Sequence, residues 1–163
     1  MSKFGRFVLL AAALAIGIFF VKGFFESDET RIRNLILGLV GDFNEHRSRS
    51  LLDTCTADFT ETTTGLGRER IREALGHAFL TLRNTEGRFP YALAIRRSPL
   101  EVSFETPEKL AATAIFGVSL HRGADERSPV EWEIEVRARL RKTDDGWRFS
   151  EAEHKTSNGR RPF

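Results

Sequence analysis

The sequence predicts an α+β domain, a curved antiparallel sheet with helices packed on its concave face, preceded by one transmembrane helix. Three observations carry this expectation. From Val130 to Arg141 every second side chain is apolar and every other one charged, the pattern of a long strand with one dry and one wet face. Two stretches upstream instead place apolar residues at i, i+3, i+4 and i+7, the spacing of amphipathic helices. Ahead of both, Phe7 to Val21 is an unbroken run of apolar residues and glycine.

That run is preceded by Lys3 and Arg6 and followed by Lys22, Gly23, Phe24 and Phe25. Counted as a helix with Lys22 snorkelling, residues 7–25 span roughly 28 Å, close to the thickness of a bilayer core. A cleaved secretory signal is the rival. Its small-x-small site fits poorly here, because Ala11, Ala13 and Ala15 lie inside the run and only Val21-Lys22-Gly23 follows it. A buried core helix suits a terminal, nearly featureless apolar segment less well. The expectation is therefore an uncleaved anchor at 7–25 with residues 1–6 cytoplasmic, since basic residues flank that side. The remainder then lies on the periplasmic or extracytoplasmic side of an inner membrane, as a single-pass protein.

Ser27, Asp28 and Glu29 supply a capping hydroxyl and acids for a first helical turn. Ile32, Leu35, Ile36, Leu39, Val40 and Phe43 then form one apolar stripe. Gly38 and Gly41 interrupt it at about 1 kcal/mol each relative to alanine, so a closely packed neighbour is expected beside them. A short helix at Ser48–Thr54 and a threonine-rich strand at Ala57–Thr64 follow. Gly65 and Gly67 break the chain before Ile71, Ala74, Leu75, Ala78, Phe79 and Leu82 repeat the helical spacing. From Tyr91 onward the pattern is strand and turn: Leu100, Val102 and Phe104, then Leu110 to Leu120, then Val130 to Arg141. A hairpin at Thr143-Asp144-Asp145-Gly146 leads into Trp147–Thr156. Residues 28–156 are read as one domain and 157–163 as a tail.

The formal charge is +2, from 25 basic and 23 acidic residues, and the first 27 positions account for it with Lys3, Arg6 and Lys22 against Glu26. The domain itself is balanced. It has no electrostatic footprint for nucleic acid, and no aromatics interleave with basic residues as single-strand binding requires. Cys55 is the only cysteine, which excludes an internal disulfide and reads as an inert thiol. Asp42 and His46 have the i, i+4 spacing of two metal ligands but lack a third. No metal and no cofactor are expected.

The Gly67-Arg68-Glu69-Arg70-Ile71-Arg72-Glu73-Ala74-Leu75 helix start after a threonine-rich strand, and the closing Asp144-Asp145-Gly146-Trp147-Arg148-Phe149, give the chain a resemblance to the nuclear transport factor 2-like superfamily with its SnoaL-like members. The resemblance covers Asp28 to Thr156. It implies a concave sheet that forms a pocket with the helices, frequent dimerisation through the outer face, and functions from isomerases and cyclases to scaffolds, so fold does not settle function. Members similar to ketosteroid isomerase place a carboxylate and an acidic donor in the pocket. Neither can be carried onto the long strands here, whose inward positions are all apolar.

The expected pocket lining is Phe43, Phe59, Phe79, Tyr91, Phe104, Phe116, Trp132, Ile134 and Trp147. Rim residues Asp58, Glu61, His77, Tyr91, Glu151, Glu153 and His154 are the polar candidates. Should the protein be an enzyme, Asp58, His77 or His154 is the expected base. The leading expectation is non-enzymatic, an anchored module for interaction, assembly or binding of a small apolar ligand. The row Glu131, Glu133, Glu135, Arg137, Arg139, Arg141 carries acids at one end and bases at the other, so a copy related by a two-fold axis pairs opposite charges. That predicts a homodimer or a subunit of a larger membrane complex. The alternative is a small SnoaL-like isomerase, cyclase or hydrolase acting on an apolar substrate.

Overall fold

A computed structural model describes residues 26–96, 100–105, 107–123 and 127–160. The chain divides between Arg31 and Ile32 into an N-terminal unit and a main unit. The expected anchor at 7–25 lies outside the described residues. Among those described, no helix is long and apolar enough to cross a membrane.

Helix α1 (Asp28–Asn44) opens as its sequence predicts. The Ser27 hydroxyl accepts the Thr30 amide at 3.1 Å, and the Arg31 amide reaches the Ser27 carbonyl at 3.0 Å. Within the main unit its stripe buries Ile32, Ile36 and Phe43. The neighbour expected beside Gly38 and Gly41 is not found: among the described residues nothing lies within 4 Å of where either Cβ would stand. Their cost to the helix is thus not repaid by close packing there. Helix α2 (Ser48–Asp53) turns Leu51 and Leu52 inward, and α3 (Arg68–Thr81) does the same with Ala78 and Phe79.

The strands are β1 (Cys55–Glu61), β2 (Leu66–Gly67), β3 (Tyr91–Ile95), β4 (Glu101–Phe104), β5 (Ala111–Arg122), β6 (Val130–Thr143) and β7 (Gly146–Gly159). They form one sheet in the order β2-β1-β7-β6-β5-β3, with β4 sharing the outer edge of β5 with β3. Two expectations are corrected. The sheet is mixed, because β1 runs parallel to β7, a pairing that alternation along single strands cannot reveal. And β7 continues through Gly159, three residues into the expected tail, because Asn158 and Gly159 still pair with Glu133 and Trp132 of β6.

The register between β6 and β7 shifts twice, between Glu133 and Ile134 and between Arg139 and Leu140, and that between β5 and β6 once. Such bulges bend a sheet and increase its twist, which gives this one its curvature. The inner face carries the core. Ala112, Ala114, Phe116, Val118, Ala138, Leu140, Trp147 and Phe149 cluster with Ile32 and Ile36 of α1 and Phe59 of β1. The alanines matter here: Ala114 and Ala138 face each other across β5 and β6, both fully buried, in the cluster that takes the two isoleucines. A second cluster gathers Phe43, Leu51, Ala78, Phe79, Phe89 and Leu120.

Candidate functional site

Strand alternation on β1 separates two acids. Phe59 and Glu61 face inward while Asp58 faces out, where its carboxylate accepts Arg141 Nη2 at 2.6 Å. That guanidinium holds the Asp58 carboxyl below its usual value. Glu61 ends the strand, and the Thr62-Thr63-Thr64-Gly65 turn folds back over it. Gly65, at φ +73°, closes this turn by donating its amide to the Glu61 carbonyl at 2.8 Å. The turn's amides converge on the carboxylate, Thr63 at 3.0 Å and Thr64 at 2.8 Å, and the Thr64 hydroxyl joins them. Burial raises the Glu61 pKa, but these hydrogen bonds outweigh it and hold the carboxyl down at about 2.

The fourth donor is His154, whose Nδ1 lies 3.0 Å from Glu61 Oε1. Its inward position depends on a bulge. Trp147 and Phe149 face the core at odd positions, then the register shift at Ser150 hands the inner face to Ala152, His154 and Thr156 and turns Glu151 and Glu153 out to Arg139 and Arg137. Thr63 fixes the backbone beneath the ring, accepting the His154 amide at 2.9 Å and donating to its carbonyl at 3.2 Å. The ring stands perpendicular to Trp132, with centroids 5.7 Å apart. Trp132 in turn donates Nε1–H to the Thr156 hydroxyl at 3.1 Å.

A carboxylate so strongly ionised is a poor proton acceptor and a good orienter. It receives Nδ1–H, which leaves Nε2 of the neutral imidazole as the basic nitrogen. The His154 side chain is 19% exposed, and Nε2 has no hydrogen-bond partner among the described residues. The arrangement places an imidazole with an orienting carboxylate beside an aromatic ring, on the inner face of a curved sheet, a geometry that can serve a general base.

The other expected residues scatter. His77 stands exposed on α3, its carbonyl accepting the Thr81 hydroxyl at 2.7 Å, and Asp58 lies on the opposite face from Glu61. Phe59, Phe116 and Trp147 are buried in the main core, with Phe104 against Trp147 at 5.9 Å and Ile134 packed on the same cluster. Phe43 and Phe79 belong to the second cluster, against which Tyr91 and Trp132 pack. In the charged row, Glu133, Arg137, Arg139 and Arg141 each have a partner on the same chain: Arg96, Glu153, Glu105 with Glu151, and Asp58. Glu131 keeps one buried carboxylate oxygen without a hydrogen-bond partner among the described residues, and Glu135 is exposed. Asp42 pairs with Arg47 while the His46 ring turns to aromatics, and among the described residues no cluster of metal-ligating groups occurs. Burial raises the Cys55 thiol pKa.

One buried polar pair had no signal in the sequence. Ser119 and His121 occupy outward positions of β5 yet are buried, the hydroxyl 2.9 Å from Nε2 and Nδ1 2.8 Å from the Ser128 carbonyl. Beside them the Arg122 amide donates to the Pro129 carbonyl at 2.9 Å and the Gly123 amide to the Pro90 carbonyl at 2.8 Å.

The fold of this chain has counterparts among solved proteins. No family model and no curated protein matches the chain in sequence. Solved structures do. A nuclear transport factor 2-like protein with a cystatin-like fold from Novosphingobium aromaticivorans superposes with a TM-score of 0.61 at 20% identity over 90% of each chain. This chain has the nuclear transport factor 2-like fold. A ketosteroid isomerase-like protein from Erwinia carotovora is similar at a TM-score of 0.54 and 17% identity, over 82% of this chain and 99% of that one. A domain of unknown function with a cystatin-like fold from Nostoc punctiforme gives 0.62 at 17% identity, over 80% and 78%. At such identities these neighbours establish the fold and leave function to the site.

Proposed function

We propose that this nuclear transport factor 2-like domain binds a small, largely apolar molecule against the inner face of its sheet, and that His154 accepts a proton from it, as in an isomerase or cyclase. The Glu61–His154 pair carries this reading. Glu61 keeps its proton off until about pH 2 and so stays an anion that fixes the imidazole tautomer. Nε2 is left to act, with Trp132 beside it offering a flat apolar surface. The reaction class these residues serve is abstraction of a proton α to a carbonyl, which needs a base positioned within reach of that proton.

The test is proton exchange in D2O with 2-tetralone, an apolar ketone with acidic α-hydrogens, followed by NMR as its α-proton signals decay. The full chain is expected to accelerate exchange. His154→Gln is expected to abolish the acceleration and Glu61→Gln to reduce it about tenfold or more. Unaltered exchange in folded His154→Gln, confirmed by circular dichroism, or no acceleration by the parent protein, overturns the assignment.

A second reading, the anchored interaction module, rests on the apolar run at Phe7–Val21 and the ladder of outward charges from β6 to β7. Its pairs within the chain have to exchange for pairs with a second copy or a partner subunit. Glu133→Arg combined with Glu135→Arg is then expected to change the oligomeric state measured by light scattering, and an unchanged state counts against it.

A further inference from the structure

Beyond that reading, a groove of about 640 Å³ opens between the end of α1, the second half of α3 and the segment leading into β3. Its floor is aromatic. Phe79 and Phe89 stand perpendicular with centroids 5.0 Å apart, Tyr91 lies 5.5 Å from Phe89, and the His46 ring rests 5.1 and 5.3 Å from the two phenylalanines. His46 reaches this place because it is itself left-handed, φ +58°, two residues past the end of α1, which turns its imidazole back toward Phe79 of α3. Phe43 supports the floor from below, 5.4 Å from Phe79 and 5.8 Å from Phe89. Leu80, 69% exposed, stands on the wall and extends the apolar lining beside Phe79.

The rim is cationic. Arg83 is tied by Nε to the Phe79 carbonyl at 3.2 Å, which holds its guanidinium over the groove's α3 side, and it has no acidic partner among the described residues. The Arg88 guanidinium meets Glu86 at 3.8 Å on an exposed surface. Among the described residues, no acidic side chain lines the groove.

We propose that this groove binds an aromatic carboxylate, its ring lying on the Phe79–Phe89–Tyr91 floor and its carboxylate meeting Arg83 and Arg88. Edge-to-face aromatic packing recognises the flat body, and guanidinium groups match the planar anion with paired hydrogen bonds. The site is separate in residues from Glu61 and His154 and stands or falls independently of them.

Tyr91 is the only tyrosine in the chain, so 3-fluorotyrosine labelling places a single fluorine probe in the groove. The full chain so labelled is titrated with 1-naphthoate and, separately, with the neutral 1-naphthalenemethanol. A saturable fluorine shift is expected with naphthoate, with affinity about tenfold weaker for the alcohol and for Arg83→Gln. Arg88→Gln, whose residue lies outside α3, is expected to weaken naphthoate binding in the same direction without touching the helix. His154→Gln is expected to leave it unchanged. Absence of a saturable shift at millimolar naphthoate, equal affinity for acid and alcohol, or full binding by both arginine variants overturns the proposal. Tighter binding of a saturated fatty acid than of naphthoate overturns the aromatic specificity.

Discussion

The inner and outer faces of β5 and β6 are built from the same strands and governed by different physics. Inside, Ala114, Phe116, Ala138 and Leu140 are dry and close-packed against α1, so volume decides what each position tolerates. Outside, Arg137 and Arg139 pair with Glu153, Glu105 and Glu151 across strands, with Arg137, Arg139 and Glu153 more than half exposed in their side chains, so water competes with every pair. The faces differ again where polar groups are buried. On the inner face Glu61 and His154 form a pair that geometry leaves one nitrogen short of satisfaction, whereas outside Ser119 and His121 satisfy one another and their loop. A polar group held with a free lone pair is poised for chemistry, and one bonded on both sides is structural.

The contrast can be broken first at Leu140, which is 1% exposed. Leu140→Ala is expected to cost about 2–5 kcal/mol in chemical denaturation, and a loss below about 1 kcal/mol means that the inner face is not close-packed. Ala138→Leu probes the same face from the other side. Overpacking there is expected to cost about 1–3 kcal/mol, and a neutral result points to empty space beneath α1.

Glu61→Gln sharpens the comparison through pH. The carboxyl sits at about 2 in the folded chain against an ordinary 4.5, so its ionised form stabilises the fold fully above about pH 4.5, and this contribution is lost as the pH falls toward 2. The variant is expected to be about 1–3 kcal/mol less stable at neutral pH, and to converge on the parent protein near pH 2 in denaturation curves. A gap that persists unchanged at low pH refutes the ionised clamp. The smallest effect belongs to the outer face: Arg137→Ala is expected to shift stability by less than about 0.5 kcal/mol, with any shift shrinking as salt is added. A loss of several kcal/mol there means that this face is buried in an assembly.

Much of this fold was legible in the sequence because it rests on local periodicity. The stripes of α1 and α3 and the alternation on β4, β5 and β6 each state which side is dry, and the cores around Ile32 and Ile36 and around Phe43 and Phe79 gather those residues. The site was legible only in pieces. His154 and Glu61 could both be read as rim residues, but nothing local ties two positions 93 residues apart. Asp58 and Glu61 read alike until alternation on a placed strand sends one to Arg141 and the other to His154.

The sequence by itself determined the helices, the presence of the long strands and most of the apolar inner face, since burial of a periodic stripe is a property each segment carries alone. Tertiary structure alone decided the parallel pairing of β1 with β7, the bulge at Ser150 that turns His154 inward, and the meeting of His154 with Glu61 and Thr63. Each of these depends on registers and backbone donors brought together from distant parts of the chain. A single bulge reverses which side chains face the core, and no composition or spacing along one strand records where it falls.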